Sequence, residues 1–128
     1  MNDTHYPPFW KERLLEVIGG HRADSESLRL LDAWSKAEGG TARWNPLNTT
    51  LSIFGATAYN AVGVKNYKRP IDGICATAMT LDNGYYPWIL GGLQSNTKAH
   101  EVVRLHSFEF TKWGTNPDNI ARILSEIR

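Results

Sequence analysis

Hydrophobic residues recur at helical spacing in the first third of the chain, in two segments that both end at paired glycines. FWKERLLEVIGG predicts a short helix after Pro7 and Pro8, and SLRLLDAWSKAEGG predicts a second one that begins near Asp24 or Ser25 and stops at Gly39. Glycine ends helices readily because it adopts left-handed backbone angles. The apolar face of the first helix is expected to hold Phe9, Trp10, Leu14, Val17 and Ile18.

The same spacing returns after residue 69. PIDGICATAMTLDNG predicts a helix that begins at Pro70, because proline suits the first turn. YYPWILGGLQ predicts a short helix that is stopped or bent near Gly91 and Gly92, and TKAHEVVRLHSF predicts a further one from Thr97. WGTNPDNIARILSEIR predicts a closing helix that Asn116 caps and Pro117 begins. The residues expected to point inward from the Pro70 helix are Ile71, Ile74, Cys75, Ala78, Met79 and Leu81.

Residues 41–68 have no helical period. They are rich in the turn formers Asn, Pro and Gly, and only LSIF and AVGVKNY look like short β-strands. A long irregular segment inside a compact domain is usually functional. We therefore expect one mostly helical (α+β) domain over residues 1–128, with a small β-hairpin or an irregular loop inserted between helices.

Composition and charge exclude several classes of protein. Hydrophobic residues make up 41% of the chain and charged residues 21%, which is typical of a globular domain. The net charge of +1 provides no field that would attract nucleic acid. No apolar run approaches the roughly 18 residues of a membrane span. The N-terminal segment lacks the plan of a signal peptide, so we expect synthesis in the cytoplasm.

The residues that commonly bind metals or react as nucleophiles are few and dispersed. The one cysteine, Cys75, lies in an apolar helical run and is interpreted as a buried structural thiol. The histidines are too scattered for metal-ligand spacing, so no metal or other cofactor is expected: His5, His21, His100 and His106. A small basic cluster is interpreted as solvated surface: Lys65, Lys68 and Arg69.

Glu38 is the one residue whose position suggests acid catalysis. It is the last residue of the second predicted helix, in line with Trp34, and it opens directly onto the polar segment. The helix dipole disfavours a negative charge there and is expected to raise the pKa of the carboxyl. A carboxylic acid that stays protonated near neutral pH can protonate the leaving group of a glycosidic bond. The competing interpretation is an exposed surface glutamate.

Side chains that could hold a sugar follow Glu38 in the tract TARWNPLNTT. The amides and hydroxyls of Asn45, Asn48 and Thr49 could bond sugar hydroxyls, and Trp44 offers a stacking face. The same groups could instead satisfy the backbone of turns. Both interpretations are open at the level of the sequence.

A second wall of the predicted groove is expected from the YNAVGVKNY segment. It would comprise Tyr59, Asn60, Gly63 and Tyr67. Gly63 lies between two valines, which indicates close approach of the backbone to a ligand or a neighbouring helix. Tyr85 could bring a phenol to the same cleft, or pack beneath the loop. Trp113–Thr115 is interpreted as a capping and packing element ahead of the last helix.

The order of these motifs resembles the lysozyme-like superfamily. A helix ends in Glu-Gly-Gly, NPLN follows, and YNAVGVKNY precedes the next helix. Lytic transglycosylases and goose-type lysozymes similarly place a catalytic Glu at a helix end and a glycine-containing hairpin across the groove. YNAVGVK is also similar to a signature of endo-glucosaminidases. The set WSKAEGGTARWNPLNTT, YNAVGVKNY and WGT looks like small domains encoded by actinobacterial phages.

The resemblance implies a cell-wall glycosidase with Glu38 as general acid. It implies groove positions at Asn60, Gly63, Val64 and Tyr67. Its partner would be peptidoglycan glycan strands, with no nucleic acid or membrane, beside other phage or lysin domains. A phage lysin or virion-associated enzyme, made in the host cytoplasm and acting at the wall, would fit the absent signal peptide.

The resemblance does not supply a second carboxylate, because residues 39–65 contain no Asp or Glu. Retaining and inverting hydrolases normally use two, so a mechanism with one acid is expected. The N-acetyl or 6-hydroxyl group of the substrate would attack, or a water would. Two competing interpretations are a glycan- or protein-binding module on the same fold and a helical interaction protein whose loop is purely structural.

Overall fold

A computed structural model of the protein describes residues 6–127, so His5 and most of the N-terminal segment lie outside the described part. Within that part the chain forms seven helices and one two-stranded antiparallel sheet, which confirms a mostly helical fold with a small hairpin. In chain order the elements are α1 Trp10–Ile18, α2 Ser25–Glu38, β1 Thr57–Ala58, β2 Lys65–Asn66, α3 Pro70–Leu81, α4 Pro87–Gln94, α5 Ala99–Leu105, α6 Ser107–Trp113 and α7 Pro117–Glu126.

Helix α2 lies at the centre of the helical core. It contacts α1, α4, α5 and α7, so apolar residues cover most of its circumference. The Trp34 side chain near its end is fully buried and makes edge-to-face contacts with Phe110 and Trp113, at ring-centroid distances of 5.0 and 4.9 Å. Burial of this large aromatic surface stabilises the end of α2. The last residue of α2, Glu38, is therefore attached to a tightly packed part of the fold.

Most helix boundaries agree with the pattern of the sequence, but α4 continues through Gly91 and Gly92 to Gln94, and several predicted orientations are wrong. Asn116 accepts a hydrogen bond from the Asp118 amide and caps α7, as predicted. Phe9 is 68% exposed because it precedes α1 in a left-handed conformation and so does not share the helix face. Val17 is exposed because the buried face of α1 is centred elsewhere, on Leu14, Leu15 and Ile18. Ile71 and Met79 of α3 are also exposed, so these inward assignments were wrong.

The predicted helix from Thr97 begins at Ala99, and the helical path breaks at His106 before α6 starts. Helix α6 was not predicted as a separate element. It carries the buried Glu109 carboxylate, whose oxygens accept hydrogen bonds from the backbone N–H groups of Trp88 (3.1 Å) and Ile89 (2.8 Å) in α4. This carboxylate satisfies the free donors at the start of α4.

Residues 39–69, between α2 and α3, form a loop lobe that contains both strands. The strands are two residues each and pair in register Thr57 with Asn66, and Ala58 with Lys65. LSIF forms no strand, contrary to its β-like composition. The lobe is fastened to the helices at several points, among them a 2.8 Å hydrogen bond from the Trp113 indole to the Leu47 carbonyl. It is therefore an ordered part of the fold.

No helix among residues 6–127 is both long enough and apolar enough to cross a lipid bilayer. The longest described helix, α2, has 14 residues, fewer than the roughly 20 that a bilayer core requires.

Candidate functional site

Glu38 lies at the junction between the buried helix and the loop lobe. It is the last residue of α2, and Gly39 ends the helix with a left-handed φ of 58° while its amide donates to the Ser35 carbonyl. A side chain at the end of a packed helix has a fixed position because the helix is held on four sides. The helix end predicted from the glycine pair is confirmed.

Both oxygens of the Glu38 carboxyl accept hydrogen bonds from well-ordered partners. The Asn48 amide donates to Oε1 at 2.7 Å, and the Thr115 hydroxyl donates to Oε2. The Trp34 indole N–H donates to the Thr115 hydroxyl at 3.0 Å, and an indole can only donate. The Thr115 proton is therefore directed toward Glu38, and one side chain from the loop lobe and one from the segment before α7 hold the carboxyl.

Burial raises the pKa of the Glu38 carboxyl above its ordinary value. The hydrogen bonds from Thr115 and Asn48 act in the opposite direction, because they stabilise the ionised form, but they do not cancel the effect of desolvation. The direction agrees with the prediction from the sequence. The main cause differs, since burial rather than the helix dipole accounts for the shift.

Asn48 contacts Glu38 because its own backbone conformation directs the side chain toward the end of α2. Its φ of 56° is left-handed, a conformation that asparagine tolerates better than most residues. A Cβ on Gly40 would lie 2.7 Å from the Asn48 Oδ1 atom, so only glycine leaves room for this amide. Gly39 therefore ends the helix, and Gly40 leaves space for the Asn48 side chain beside Glu38.

Asn45 and Thr49, which were predicted to bind substrate, support the lobe from within. Asn45 is fully buried; its amide donates to the Thr49 and Lys65 carbonyls, and its carbonyl oxygen accepts the Thr49 amide, all at 2.8 Å. The Thr49 hydroxyl is paired with that of Thr77 at 3.0 Å. The structure therefore favours the backbone-satisfying interpretation for both residues.

The hairpin residues divide between surface and interior. Tyr59 is 43% exposed, and its hydroxyl bonds to that of Thr41, three residues after Glu38. The side-chain oxygen Oδ1 of Asn60 accepts hydrogen bonds from the backbone N–H groups of Val62 and Val64, and these bonds fix the turn. Gly63 provides a left-handed φ of 101° in that turn. Val64 is buried, whereas Tyr59 and Asn60 present polar side chains to solvent.

The three remaining predicted aromatic residues lie apart from one another. Tyr67 is 1% exposed; its hydroxyl donates to the Leu51 carbonyl at 2.6 Å, and burial raises the pKa of the phenol. Trp44 is half-buried and carries the Arg43 guanidinium 5.7 Å from its ring, while its indole N–H has no hydrogen-bond partner within residues 6–127. Tyr85 is exposed and contacts the Lys112 ammonium. Tyr67 therefore acts as support, and Tyr85 lies at the periphery.

The other acids near the lobe are engaged elsewhere. Asp72 forms a bidentate pair with Arg69, at 2.7 and 3.0 Å, and Asp32 pairs with Lys11 and Lys36. Within the described part of the chain, no group of three His, Cys, Asp or Glu side chains is arranged to hold a metal ion. The candidate site therefore consists of one carboxyl with hydrogen-bonding side chains around it.

Thr115 and Trp34 are the site residues that the sequence did not identify. Trp113–Thr115 was interpreted as a packing element, which describes Trp113 but not the hydroxyl bonded to Glu38. A shallow surface cavity of about 360 Å³ has a lining that includes Thr111, Gly114, Thr115, Asn116 and Pro117. The WGT motif could have indicated this role, because a threonine directly after a helix-ending glycine can place its hydroxyl against the end of a neighbouring helix.

Replacing Thr115 with valine is expected to raise the pKa of Glu38 further. The variant removes a hydrogen bond to the carboxylate and leaves the Trp34 indole N–H without a partner, so the free energy of unfolding should fall by about 1–3 kcal/mol. Carbon-detected NMR titration of the Glu38 carboxyl measures the pKa, and denaturant unfolding measures the stability.

The matched control is Thr115→Ser, which keeps the hydroxyl and should restore both values. An unchanged pKa for Glu38 in the valine variant would show that the Thr115 contact has no influence on the acid.

No protein-family model, curated protein or solved structure matches this chain at a significant level. The geometry around Glu38 and the motif resemblance are thus the grounds on which a function can be argued.

Proposed function

We propose that this protein cleaves the glycan strands of peptidoglycan, with Glu38 as the general acid. The observation that carries the proposal is the Glu38 carboxyl itself: half-buried at the end of a rigid helix, with a raised pKa, and oriented by Asn48 and Thr115. These are the properties required of a proton donor to a leaving glycosidic oxygen. The choice of peptidoglycan follows from the lysozyme-like order of the motifs.

In the proposed reaction, the Glu38 proton moves to the glycosidic oxygen as the bond between that oxygen and the anomeric carbon breaks. The loop lobe offers no second carboxylate to attack or to activate water. The nucleophile is therefore a hydroxyl or an N-acetyl oxygen of the substrate, or a water. If it is a hydroxyl or a water, its oxygen bonds to the anomeric carbon and its proton returns to Glu38. Tyr59 and Asn60 are exposed polar residues of the lobe and are available to contact the sugar.

Digestion of purified sacculi tests the proposal and identifies the nucleophile. The protein is expected to release soluble muropeptides whose new ends are visible by mass spectrometry. An anhydro-muramic end indicates attack by the 6-hydroxyl of the substrate, and a free reducing end indicates attack by water. The absence of soluble fragments from sacculi of several wall types would contradict the proposal.

A glycan-binding module without enzymatic activity is the second candidate. One observation favours it: each oxygen of Glu38 already accepts an internal hydrogen bond, which is how a structural carboxylate is also held. Such a module would bind sacculi and release no fragments. Sedimentation with insoluble sacculi, measured alongside product release, separates the two candidates.

A further inference from the structure

The loop lobe has a charge imbalance that the chain as a whole does not have. Residues 39–69 contain four basic residues and no Asp or Glu, whereas the remainder of the chain has ten basic and thirteen acidic residues. Elsewhere basic side chains commonly pair with carboxylates, as Lys36 does with Asp32 and Arg29 with Glu26. The net charge of +1 therefore conceals a basic lobe on an acidic helical body.

Three of the four charges have no counter-charge in contact. Arg69 is neutralised by Asp72. Within residues 6–127, Arg43, Lys65 and Lys68 form no salt bridge. Among the described residues near the lobe, Lys68 attracts the carboxylate of Asp72. The two side chains form no salt bridge, so this attraction acts over a longer distance. These charges are available to an external anion.

Two of the free cations are positioned by aromatic rings. The Arg43 guanidinium lies 5.7 Å from the Trp44 ring centroid, and the Lys68 ammonium lies 5.9 Å from that of Phe54. Phe54 is 92% exposed, so this ring lies at the surface of the lobe. A cation over a ring keeps its charge and remains accessible to a ligand.

The backbone places Arg43 next to the segment that carries the other two free cations. The Arg43 amide donates to the Asn66 side chain at 2.9 Å, and the Arg43 carbonyl accepts the Tyr67 amide at 3.0 Å. Arg43 therefore lies against the segment that carries Lys65 and Lys68. The lobe begins at the residue after Glu38 and supplies Asn48 to it, so a polymer that reaches Glu38 also comes next to the lobe.

We infer that the loop lobe binds carboxylates carried by the glycan strand itself, through Arg43 and Lys68 with Lys65 beside them. This inference rests on the proposed function for the identity and the position of the strand. Carboxylates of the stem peptides recur along peptidoglycan, whereas chitin-type strands are neutral. The lobe thus selects an acidic glycan over a neutral one of the same backbone. A phosphate polymer of the wall is the alternative anion, and the test below distinguishes it.

The test measures binding and needs no cleavage. All proteins carry Glu38→Gln, and binding to sacculi is followed by sedimentation at low and high salt. Arg43→Gln with Lys68→Gln should weaken binding roughly tenfold at low salt, with a smaller effect at high salt. The matched control, Arg104→Gln with Lys98→Gln, removes the same charges from exposed positions of the helical body and should bind like the parent.

Two further arms identify the anion. Sacculi whose carboxylates are converted to amides by carbodiimide and ammonia should bind the parent as weakly as native sacculi bind the double variant. Sacculi stripped of phosphodiester polymers by hydrofluoric acid should bind the parent fully. Loss of binding on that treatment would assign the lobe to phosphate and overturn the inference, as would equal losses in the double variant and its control. Lys68→Gln alone is tested for binding as well. If its circular dichroism spectrum is unchanged, weaker binding by this variant cannot be attributed to misfolding.

Because binding is the readout, the inference stands or falls independently of catalysis. A protein that binds acidic sacculi through the lobe but releases no fragments would support the inference and contradict the proposed enzyme. A protein that cleaves sacculi but ignores carboxylate amidation would do the reverse.

Discussion

Glu38→Gln is expected to reduce the release of muropeptides from sacculi by about 100- to 10,000-fold, the usual contribution of a general acid. Glutamine keeps the size of the side chain and can still accept the Asn48 or Thr115 hydrogen bond, but it has no acidic proton to give. Binding to sacculi should remain close to that of the wild type. Initial rates of fragment release and sedimentation with sacculi measure the two effects separately.

Glu16→Gln is the matched control for that experiment. Glu16 lies on the exposed side of α1, where it makes only a 3.8 Å pair with Arg22, so the same chemical change there should leave the rate unaltered. Full activity of the Glu38→Gln variant would contradict the assignment of the acid. Loss of binding together with activity would indicate that Glu38 supports the groove rather than the reaction.

Gly73→Ala is expected to lower the free energy of unfolding by about 3 kcal/mol. A Cβ at this position of α3 would lie 1.8 Å from the Trp44 carbonyl oxygen, which is far inside contact distance, and the obstructing atom belongs to backbone. The loop lobe would have to move away from the helix. Denaturant unfolding measures the stability, and the indole signal of Trp44 reports the displacement.

Gly91→Ala in α4 is the control, because no atom lies within 4 Å of the added methyl group. Alanine favours a helix over glycine, so this variant should gain about 0.5–1 kcal/mol. A Gly73→Ala variant as stable as the wild type would mean that the lobe does not rest on α3 as the structure has it.

Local signals in the sequence were sufficient for most of the helices and for the position of Glu38, but they did not separate α6 from α5. The glycine pair after Glu38 and the prolines at the start of α3, α4 and α7 act on neighbouring backbone, so their effect can be read without the tertiary structure. The orientations of Phe9 and Met79 were wrong because the buried face of a short helix depends on which elements pack against it.

The partners of Glu38 illustrate what the sequence could not supply. Thr115 is 77 residues away along the chain, and its contact with Glu38 exists only because α2 and α7 pack together. Asn45 and Asn48 are both asparagines and lie three residues apart. The Asn45 side chain hydrogen-bonds to backbone groups of the lobe, whereas the Asn48 side chain donates to the Glu38 carboxyl. Residue type and spacing do not distinguish these two roles, since both require an amide in a turn.

The pH dependence of cleavage, compared with the titration of Glu38, is the most direct test of the central claim. For a general acid, the alkaline fall in kcat/KM on solubilised glycan strands reports its pKa in the free enzyme. The account predicts that this fall coincides with the NMR titration of the Glu38 carboxyl, above the ordinary glutamate value of 4.5. A fall at a different pH from the carboxyl titration, or no cleavage at any pH, would contradict it.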